Sequence, residues 1–220
     1  MKPTVTVPYL PAQLPLYEGP EASLQCYSAA ASEDELTDLH LKNAALSEED
    51  LTRLTAARCC FDGCRFSRAK LEKAAFVDCV FRNCDFSGAE VLDGYFSRCA
   101  LSGCKGMGTN LSESRLHDVS FQGCSFRLSA FDESHWNRVA FTDCNLGGAM
   151  LTRLQLKNPM FRECDLRGAC FADTSLKNVD LRGCSLEQLS VSESMRELRG
   201  AIVDEMGAVA LAELLGVRIQ

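Results

Sequence analysis

A large apolar residue recurs at every fifth position between residues 36 and 191 of this chain of 220 residues. Of the 32 positions in this register, 30 hold leucine, phenylalanine, valine or tryptophan, and only Ala56 and Gly106 depart from it. A helix repeats every 3.6 residues and a strand every 2, so neither produces a period of five. A fixed period of this kind is typical of a solenoid, in which each repeat stacks on its neighbours.

Small residues occupy the position two residues before each large one, and many of them are cysteines. Seven cysteines are spaced by twenty residues: Cys64, Cys84, Cys104, Cys124, Cys144, Cys164 and Cys184. Twenty residues are four fives, so this spacing predicts four sides per turn, with each cysteine beneath the next. The large residues form matching columns, one of which is Phe61, Phe81, Leu101, Phe121, Phe141, Phe161 and Leu181. We expect these columns to form the core ladder of an all-β solenoid of about eight 20-residue coils.

Composition restricts the functions that are open to the chain. The formal net charge is −7, which argues against direct binding of nucleic acid, because such binding needs a basic surface. The sequence begins without a secretory leader and has no apolar run that approaches the length of a membrane span. We therefore expect a cytoplasmic protein whose thiols are reduced.

The cysteine ladder is interpreted as core packing. Stacked small positions present sulfur atoms in a row, and a spacing of five residues does not match a zinc-binding pattern. We predict no cofactor, no metal site, no catalytic residue and no enzymatic activity. Cys60 and Cys170 fall on outward positions and are the repeat thiols expected to react. A thiol-rich redox or metal-responsive protein is the weakest of three hypotheses.

Both ends of the chain depart from the repeat. Residues 1–33 are expected to run along or cap the N-terminal end, and residues 34–193 form the repeat. Residues 194–220 read as a strand, a short helix and a second extended stretch. Asp204 predicts an N-cap for a helix over residues 205–215.

The first coil is expected to be irregular up to Cys59. Asp34 and Glu49 occupy small inward positions, where a regular coil would bury their charges at considerable cost. Residues 47–50 also read as the capped start of a helical turn.

The five-residue pattern resembles that of pentapeptide repeat proteins, whose motif is A-(D/N)-L-x-x. Segments such as FSGAEV, LRGACF and LGGAML carry the likeness, which covers residues 36–193. The proline-rich leader around residues 10–15 and the C-terminal tail are similar to those of Qnr-like and MfpA-like topoisomerase-protecting proteins of Gram-positive bacteria. The resemblance implies a right-handed quadrilateral β-helix. It also implies a protein that binds bacterial type II topoisomerase (DNA gyrase), by DNA-like shape and charge, and protects it from quinolones.

The same resemblance implies a homodimer formed through the C-terminal segment. The apolar residues expected at its interface are Met206, Val209, Ala210, Leu214, Leu215, Val217 and Ile219. Capping of the rod within one chain is the alternative.

DNA mimicry would require carboxylates along the rod that meet a basic partner surface. The acids that we expect to face this partner are Asp62, Asp78, Asp85, Asp118, Asp143, Glu163, Asp165 and Asp180. Further candidates are Glu90, Asp93, Asp132, Glu133 and Asp173. Arginines interleave with these acids, but columns such as Arg162 and Arg182 indicate that the sides of the coil differ in charge. The alternative function is a generic protein-interaction scaffold of unknown partner without DNA mimicry.

Overall fold

A parallel β-solenoid of about seven turns, with a short helix at its C-terminal end, forms the fold. The computed structural model describes residues 4–214 and 216–217. The strands are β1 (Leu16–Glu18), β2 (Glu35–Thr37), β3 (His40–Lys42), β4 (Thr55–Ala57), β5 (Cys60–Asp62), β6 (Ala75–Val77), β7 (Val80–Arg82), β8 (Tyr95–Ser102), β9 (Arg115–Gln122), β10 (His135–Thr142), β11 (Gln155–Lys157) and β12 (Met160–Arg162). The helices are α1 (Pro20–Ser32), a 3₁₀ turn (Arg196–Leu198) and α2 (Glu205–Leu214). The predicted solenoid fold is confirmed.

Successive turns pair in parallel at a fixed offset of twenty residues. Phe61 lies opposite Phe81, and Phe121 lies opposite Phe141. The same offset joins single residues on the sides that carry no strand, as between Arg65 and Asp85. The turn length that the cysteine spacing predicts is therefore correct.

A left-handed corner lies two residues after each position of the five-residue register from Leu36 to Leu186. Asn43, Glu48, Arg53 and Arg58, which close the four sides of the first turn, have φ angles of 53°, 66°, 63° and 53°. Few residues with a side chain adopt this conformation readily, and glycine, asparagine and aspartate do so at least cost. We number the sides by their large residues in this turn: side one Leu41, side two Leu46, side three Leu51 and side four Ala56.

Stacked aromatic rings form much of the core, beside columns of leucine and cysteine. The rings of Phe61 and Phe81 lie 4.9 Å apart and nearly parallel, and those of Phe121 and Phe141 lie 4.4 Å apart. Trp136 is also buried and contacts the ring of Phe131 edge-on at 5.3 Å. In-register pairing places equivalent inward side chains above one another, so each column of large residues packs along the rod.

The cysteines of the ladder are buried and free. The thiols from Cys64 to Cys164 each donate a weak hydrogen bond to a carbonyl of the preceding turn, as from Cys64 Sγ to the Leu41 oxygen at 3.2 Å. Thr109 and Ser134 make the same bond from equivalent positions, at 2.8 Å each. The small position therefore favours a compact side chain with a donor, and cysteine meets this need with an apolar body.

Cys60 is buried, contrary to the prediction that its thiol is exposed. It was expected to point outward, but it is 3% exposed because Arg82 of the next turn lies over it, with Nη1 3.4 Å from its Sγ. Burial raises the pKa of Cys60, and burial raises the pKa of Cys99 to about 12. Cys170 is partly exposed, as predicted from its outward position.

We expect one thiol per native chain to react quickly with an aromatic disulfide reagent. Cys170 should supply it, because thiolate formation and access both favour reaction there and disfavour it at buried sites. All 13 cysteines should react in denaturant, and Cys170→Ser should remove the fast phase. A fast phase of several thiols in the native protein would contradict this assignment.

Gly106 leaves a gap in its column of large residues. A Cβ atom at this position would clash with the ring of Phe126, so the ring of the next turn occupies the space of the missing side chain. An apolar cavity of about 20 Å³ remains nearby, lined by residues that include Leu101, Leu111 and Leu116. The coil is not bulged here, because Gly106 N–H still donates to the Ser125 oxygen at 2.7 Å.

At the N-terminal end, β1 pairs with β3, and α1 buries Ala22, Cys26 and Ala29 against the core. The first coil is regular from β2 onward, so the expectation of an irregular first coil is wrong. Asp34 and Glu49 do stand at inward positions but are exposed, because α1 covers the centre of this end and leaves its edge open. Residues 47–50 form a corner of the coil, not the start of a helix.

At the C-terminal end, Ile202 pairs with Asp180 of the last turn before α2 begins. Asp204 caps α2 by accepting the Gly207 N–H at 2.9 Å, as predicted, and it also accepts the Gly183 N–H at 2.7 Å. These two backbone hydrogen bonds lower the pKa of Asp204. One carboxylate therefore both caps the helix and holds it on the coil.

Candidate interaction surfaces

Charge is distributed unevenly among the four sides between residues 35 and 193. The outward positions of side three hold nine acids and four bases, a net charge of −5. Side one has four of each sign, side two has four acids and five bases, and side four has four acids and six bases. The near-neutral total of the coil therefore conceals one acidic side.

The acids of side three are concentrated in three consecutive turns. Between Lys73 and Arg153, no outward position of this side holds a base. We call this group the acidic strip, and its members are Glu90, Asp93, Glu113, Asp132 and Glu133.

Arginines at the margins neutralise the strip only in part. Arg153 Nε lies 2.9 Å from Glu133, and Arg115 lies 3.5 Å from Asp93. Glu90 and Glu113 are exposed, and neither forms an ion pair within the part of the chain that the structure describes. Their charges are therefore available to a partner.

The eight acids predicted from the sequence to face a partner lie on the other three sides. Side one holds Asp62, Asp143, Glu163 and Asp180; side two holds Asp85 and Asp165; side four holds Asp78 and Asp118. Several are engaged locally, as when Arg167 and Arg182 each donate two hydrogen bonds to the aspartate two residues before them. These acids are not brought together into one surface.

The prediction of partner-facing acids is most clearly wrong for Asp78 and Asp118, which are only 9% and 2% exposed. They belong to an alternating column on side four, the Asp–Arg ladder, which consists of Asp38, Arg58, Asp78, Arg98, Asp118 and Arg138. Arg98 and Arg138 each make a two-pronged hydrogen bond to the aspartate of the preceding turn, at 2.5–2.8 Å.

The N-terminal leader lies along this ladder. Thr6 N–H donates to Asp118, and Tyr9 N–H donates to Asp78, at 3.1 Å in both cases. The leader and the arginines together surround the two carboxylates, which explains their burial. These aspartates therefore hold the leader on side four and are not open to a partner.

We expect Asp118→Asn to lower the free energy of unfolding by about 2 kcal/mol, because it removes one partner of a buried ion pair. Asp38→Asn provides the matched control, since Asp38 makes the same contact with Arg58 but is half-exposed. Its loss should be clearly smaller, because an exposed ion pair contributes little to stability. Urea unfolding of both variants measures the difference, and equal losses would contradict it.

The same carboxylate predicts a pH dependence. Hydrogen bonds from Arg138 lower the pKa of Asp118 to about 2, whereas an unfolded aspartate titrates near 3.9. The folded pKa is depressed, so the contribution to stability is complete above about pH 4 and is lost as the pH falls to about 2. The difference in stability between the protein and Asp118→Asn should shrink over this range.

The residues expected at a dimer interface divide into an exposed and a buried set. Met206, Val209 and Val217 are 73%, 37% and 51% exposed, so they form an uncovered apolar surface. Ala210 is buried and Leu214 packs against the core, so these two anchor α2 on the coil. Leu215 and Ile219 lie outside the described residues.

Two further features are absent from residues 4–214 and 216–217. No helix there is long and apolar enough to cross a membrane. No group of three or more histidine, cysteine, aspartate or glutamate side chains there is arranged to hold a metal ion.

Sequence reasoning missed the acidic strip as a unit, although the signal was present. Glu90, Asp93, Asp132 and Glu133 were recognised as candidates, but Glu113 was not. Grouping outward residues by their position within the 20-residue turn would have separated side three from the others. The left-handed corners were missed as well, because their residues vary from glycine to arginine.

Comparison with known proteins bears on the fold. A family model of the pentapeptide repeat region matches residues 74–151 and 134–197. A trypsin-treated variant of QnrB1, a plasmid-mediated fluoroquinolone resistance protein, is 17% identical with a TM-score of 0.54, over 82% of this chain and 99% of that one. HetL, a pentapeptide repeat protein involved in heterocyst differentiation regulation from the cyanobacterium Nostoc sp. strain PCC 7120, is 18% identical with a TM-score of 0.34, over 87% and 86%. No curated protein sequence matches significantly.

Proposed function

This chain belongs to the pentapeptide repeat family, and from that premise we propose that it binds bacterial type II topoisomerase in place of DNA. The enzyme in question is DNA gyrase, and binding would protect it from quinolones. In this proposal the protein acts in the cytoplasm as a non-enzymatic dimeric rod. The likeness to QnrB1 supports the fold, and the case for the partner rests on charge.

The acidic strip is the observation that carries the proposal. Adjacent turns lie about 4.8 Å apart, so five carboxylates over three turns place one negative charge per about 3 Å of rod. Duplex DNA carries one per about 1.7 Å of its axis. A protein groove that is lined with lysine and arginine for DNA would therefore attract side three and orient it by long-range electrostatics.

Dimerisation would lengthen this surface. The uncovered residues Met206, Val209 and Val217 sit at the C-terminal end of the coil, where a second copy could cover them. Removing exposed apolar side chains of this kind from water stabilises a dimer. Sedimentation velocity of the full chain tests this part of the proposal, and a monomer at micromolar concentration would contradict it.

A supercoiling assay with the gyrase holoenzyme tests the function. With a fluoroquinolone at an inhibitory concentration, increasing amounts of the protein should restore supercoiling and reduce the drug-dependent cleavage of DNA. Without drug, an excess should compete with DNA and slow supercoiling. The absence of both effects at excess protein would contradict the proposal.

The alternative of a generic interaction scaffold makes a different prediction. Displacement of DNA by charge requires binding that weakens steeply with salt, because counterions compete for the basic groove. A gyrase complex that is insensitive to salt, or that leaves DNA bound, would favour a scaffold without DNA mimicry.

A further inference from the structure

Leu128 is an apolar residue at a corner of the coil where the other corners hold polar residues or glycine. Its φ is 56°, in the left-handed region. Within the described turns of the coil, the remaining residues of positive φ are glycine, aspartate, asparagine, glutamate, glutamine, arginine or lysine. Leucine gains nothing locally from this conformation, since its side chain cannot bond to its own backbone.

The side chain of Leu128 is also exposed. It is 61% accessible, although a leucine at this corner could be replaced by glycine, which occupies the same column at Gly88, Gly108, Gly148 and Gly168. An apolar side chain that is both conformationally unfavourable and open to water is a candidate for contact with a partner.

Gly148 of the next turn gives this leucine its position. A Cβ atom at residue 148 would lie 2.7 Å from Leu128 Cδ2, so the leucine lies over the bare glycine backbone. Met107 on the preceding turn and Met150 on the following one are 55% and 43% exposed. We call Met107, Leu128 and Met150 the apolar patch, which runs diagonally across the corner between sides two and three.

The apolar patch adjoins the acidic strip. Met150 pairs directly with Ala130, and Ala130 lies between Leu128 and the strip residue Asp132 along the chain. The two surfaces therefore share two turns, those of Glu113 and Asp132, and meet along the edge of side three. A partner that covers the strip must come close to the patch.

We propose that the apolar patch inserts into an apolar pocket of the same basic protein surface that receives the acidic strip. This inference rests on the proposed function and deepens it, because DNA offers no apolar group on its phosphate face. Charge would bring the rod to the partner. Burial of Leu128 and the two flanking methionines in the pocket would then fix the position of the rod along the groove and slow the release of the rod. The occupant of the patch is thus a protein pocket beside a DNA-binding groove.

Leu128→Gly is the test, with Gln188→Gly as its matched control. Both positions belong to the same corner column and both have positive φ, at 56° and 58°, but Gln188 lies in the last turn. Glycine suits the corner conformation, so Leu128→Gly should fold at least as stably as the natural protein. Binding to immobilised gyrase holoenzyme would be measured by surface plasmon resonance at low and high salt.

We expect Leu128→Gly to bind gyrase at least tenfold more weakly, with most of the change in the dissociation rate and at both salt concentrations. Gln188→Gly should bind like the natural protein. Equal affinity of the natural protein and Leu128→Gly would overturn this inference alone, and absence of binding by the natural protein would overturn the proposed function as well. A shift of Leu128→Gly from dimer to monomer would also overturn it, because the patch would then belong to a contact between two copies.

Discussion

Reversing two charges of the acidic strip is expected to weaken binding to DNA gyrase by about 100-fold. The variant is Glu90→Lys combined with Glu113→Lys, which changes the charge of the strip from −5 to −1. Both carboxylates are exposed, and neither is neutralised by an ion pair within the residues that the structure describes. The fold should tolerate the change, because Lys70 and Lys73 already occupy the same two columns of side three.

The control must change the net charge equally on another side. Asp143→Lys combined with Glu163→Lys meets this need, since both residues are exposed corner residues of side one. Long-range attraction alone should lower its affinity about threefold at most at physiological salt. Equal weakening by the two double variants would mean that only net charge matters, and would contradict a role for side three. Isothermal titration with the holoenzyme gives both affinities.

Truncating Phe141 to alanine is expected to lower the free energy of unfolding by about 4 kcal/mol. Its ring is buried and stacks between those of Phe121 and Phe161, at 4.4 Å and 5.8 Å. The rings of Phe131 and Trp136 also contact it, at 6.2 Å and 5.3 Å. A cavity at this point interrupts the column on both sides, because each turn of a solenoid is held by its neighbours.

Phe141→Leu supplies the control, because leucine occupies the same column at Leu101 and Leu181. We expect it to lose about 1 kcal/mol. Urea unfolding followed by circular dichroism compares the two variants. A loss near 1 kcal/mol for Phe141→Ala would show that the rod relaxes around the missing ring, which would contradict the importance assigned to the stack.

The inside of the rod could be predicted almost entirely from the sequence. The period of five identified the inward residues, and the cysteines twenty apart identified which of them stack, as at Cys64 and Cys84. This worked because in-register pairing places residue i directly on residue i+20, so spatial neighbours follow from simple counting. Cys60 escaped the prediction because a long side chain from the next turn, Arg82, covers it.

The outside of the rod was predicted less well. Asp78 and Asp118 were expected to face a partner, but the Asp–Arg ladder and the leader bury them. The period of five does not predict which side of the coil the leader follows, because residues 4–15 carry no repeat. The first coil was expected to be irregular because a regular coil would bury Asp34 and Glu49. The coil is regular, and both carboxylates stay exposed because α1 covers only the centre of the N-terminal end of the rod.

The sequence by itself determined the period, the length of a turn, the columns of the core and the capped helix at the C-terminal end. These follow from short-range periodicity and from the burial of apolar side chains. Only the tertiary structure decided which acids remain open to a partner, where the leader lies and that Leu128 stands exposed at a left-handed corner. The reason is that exposure on a four-sided coil depends on what the adjacent turn and the chain ends place over each outward residue, and this is set in three dimensions.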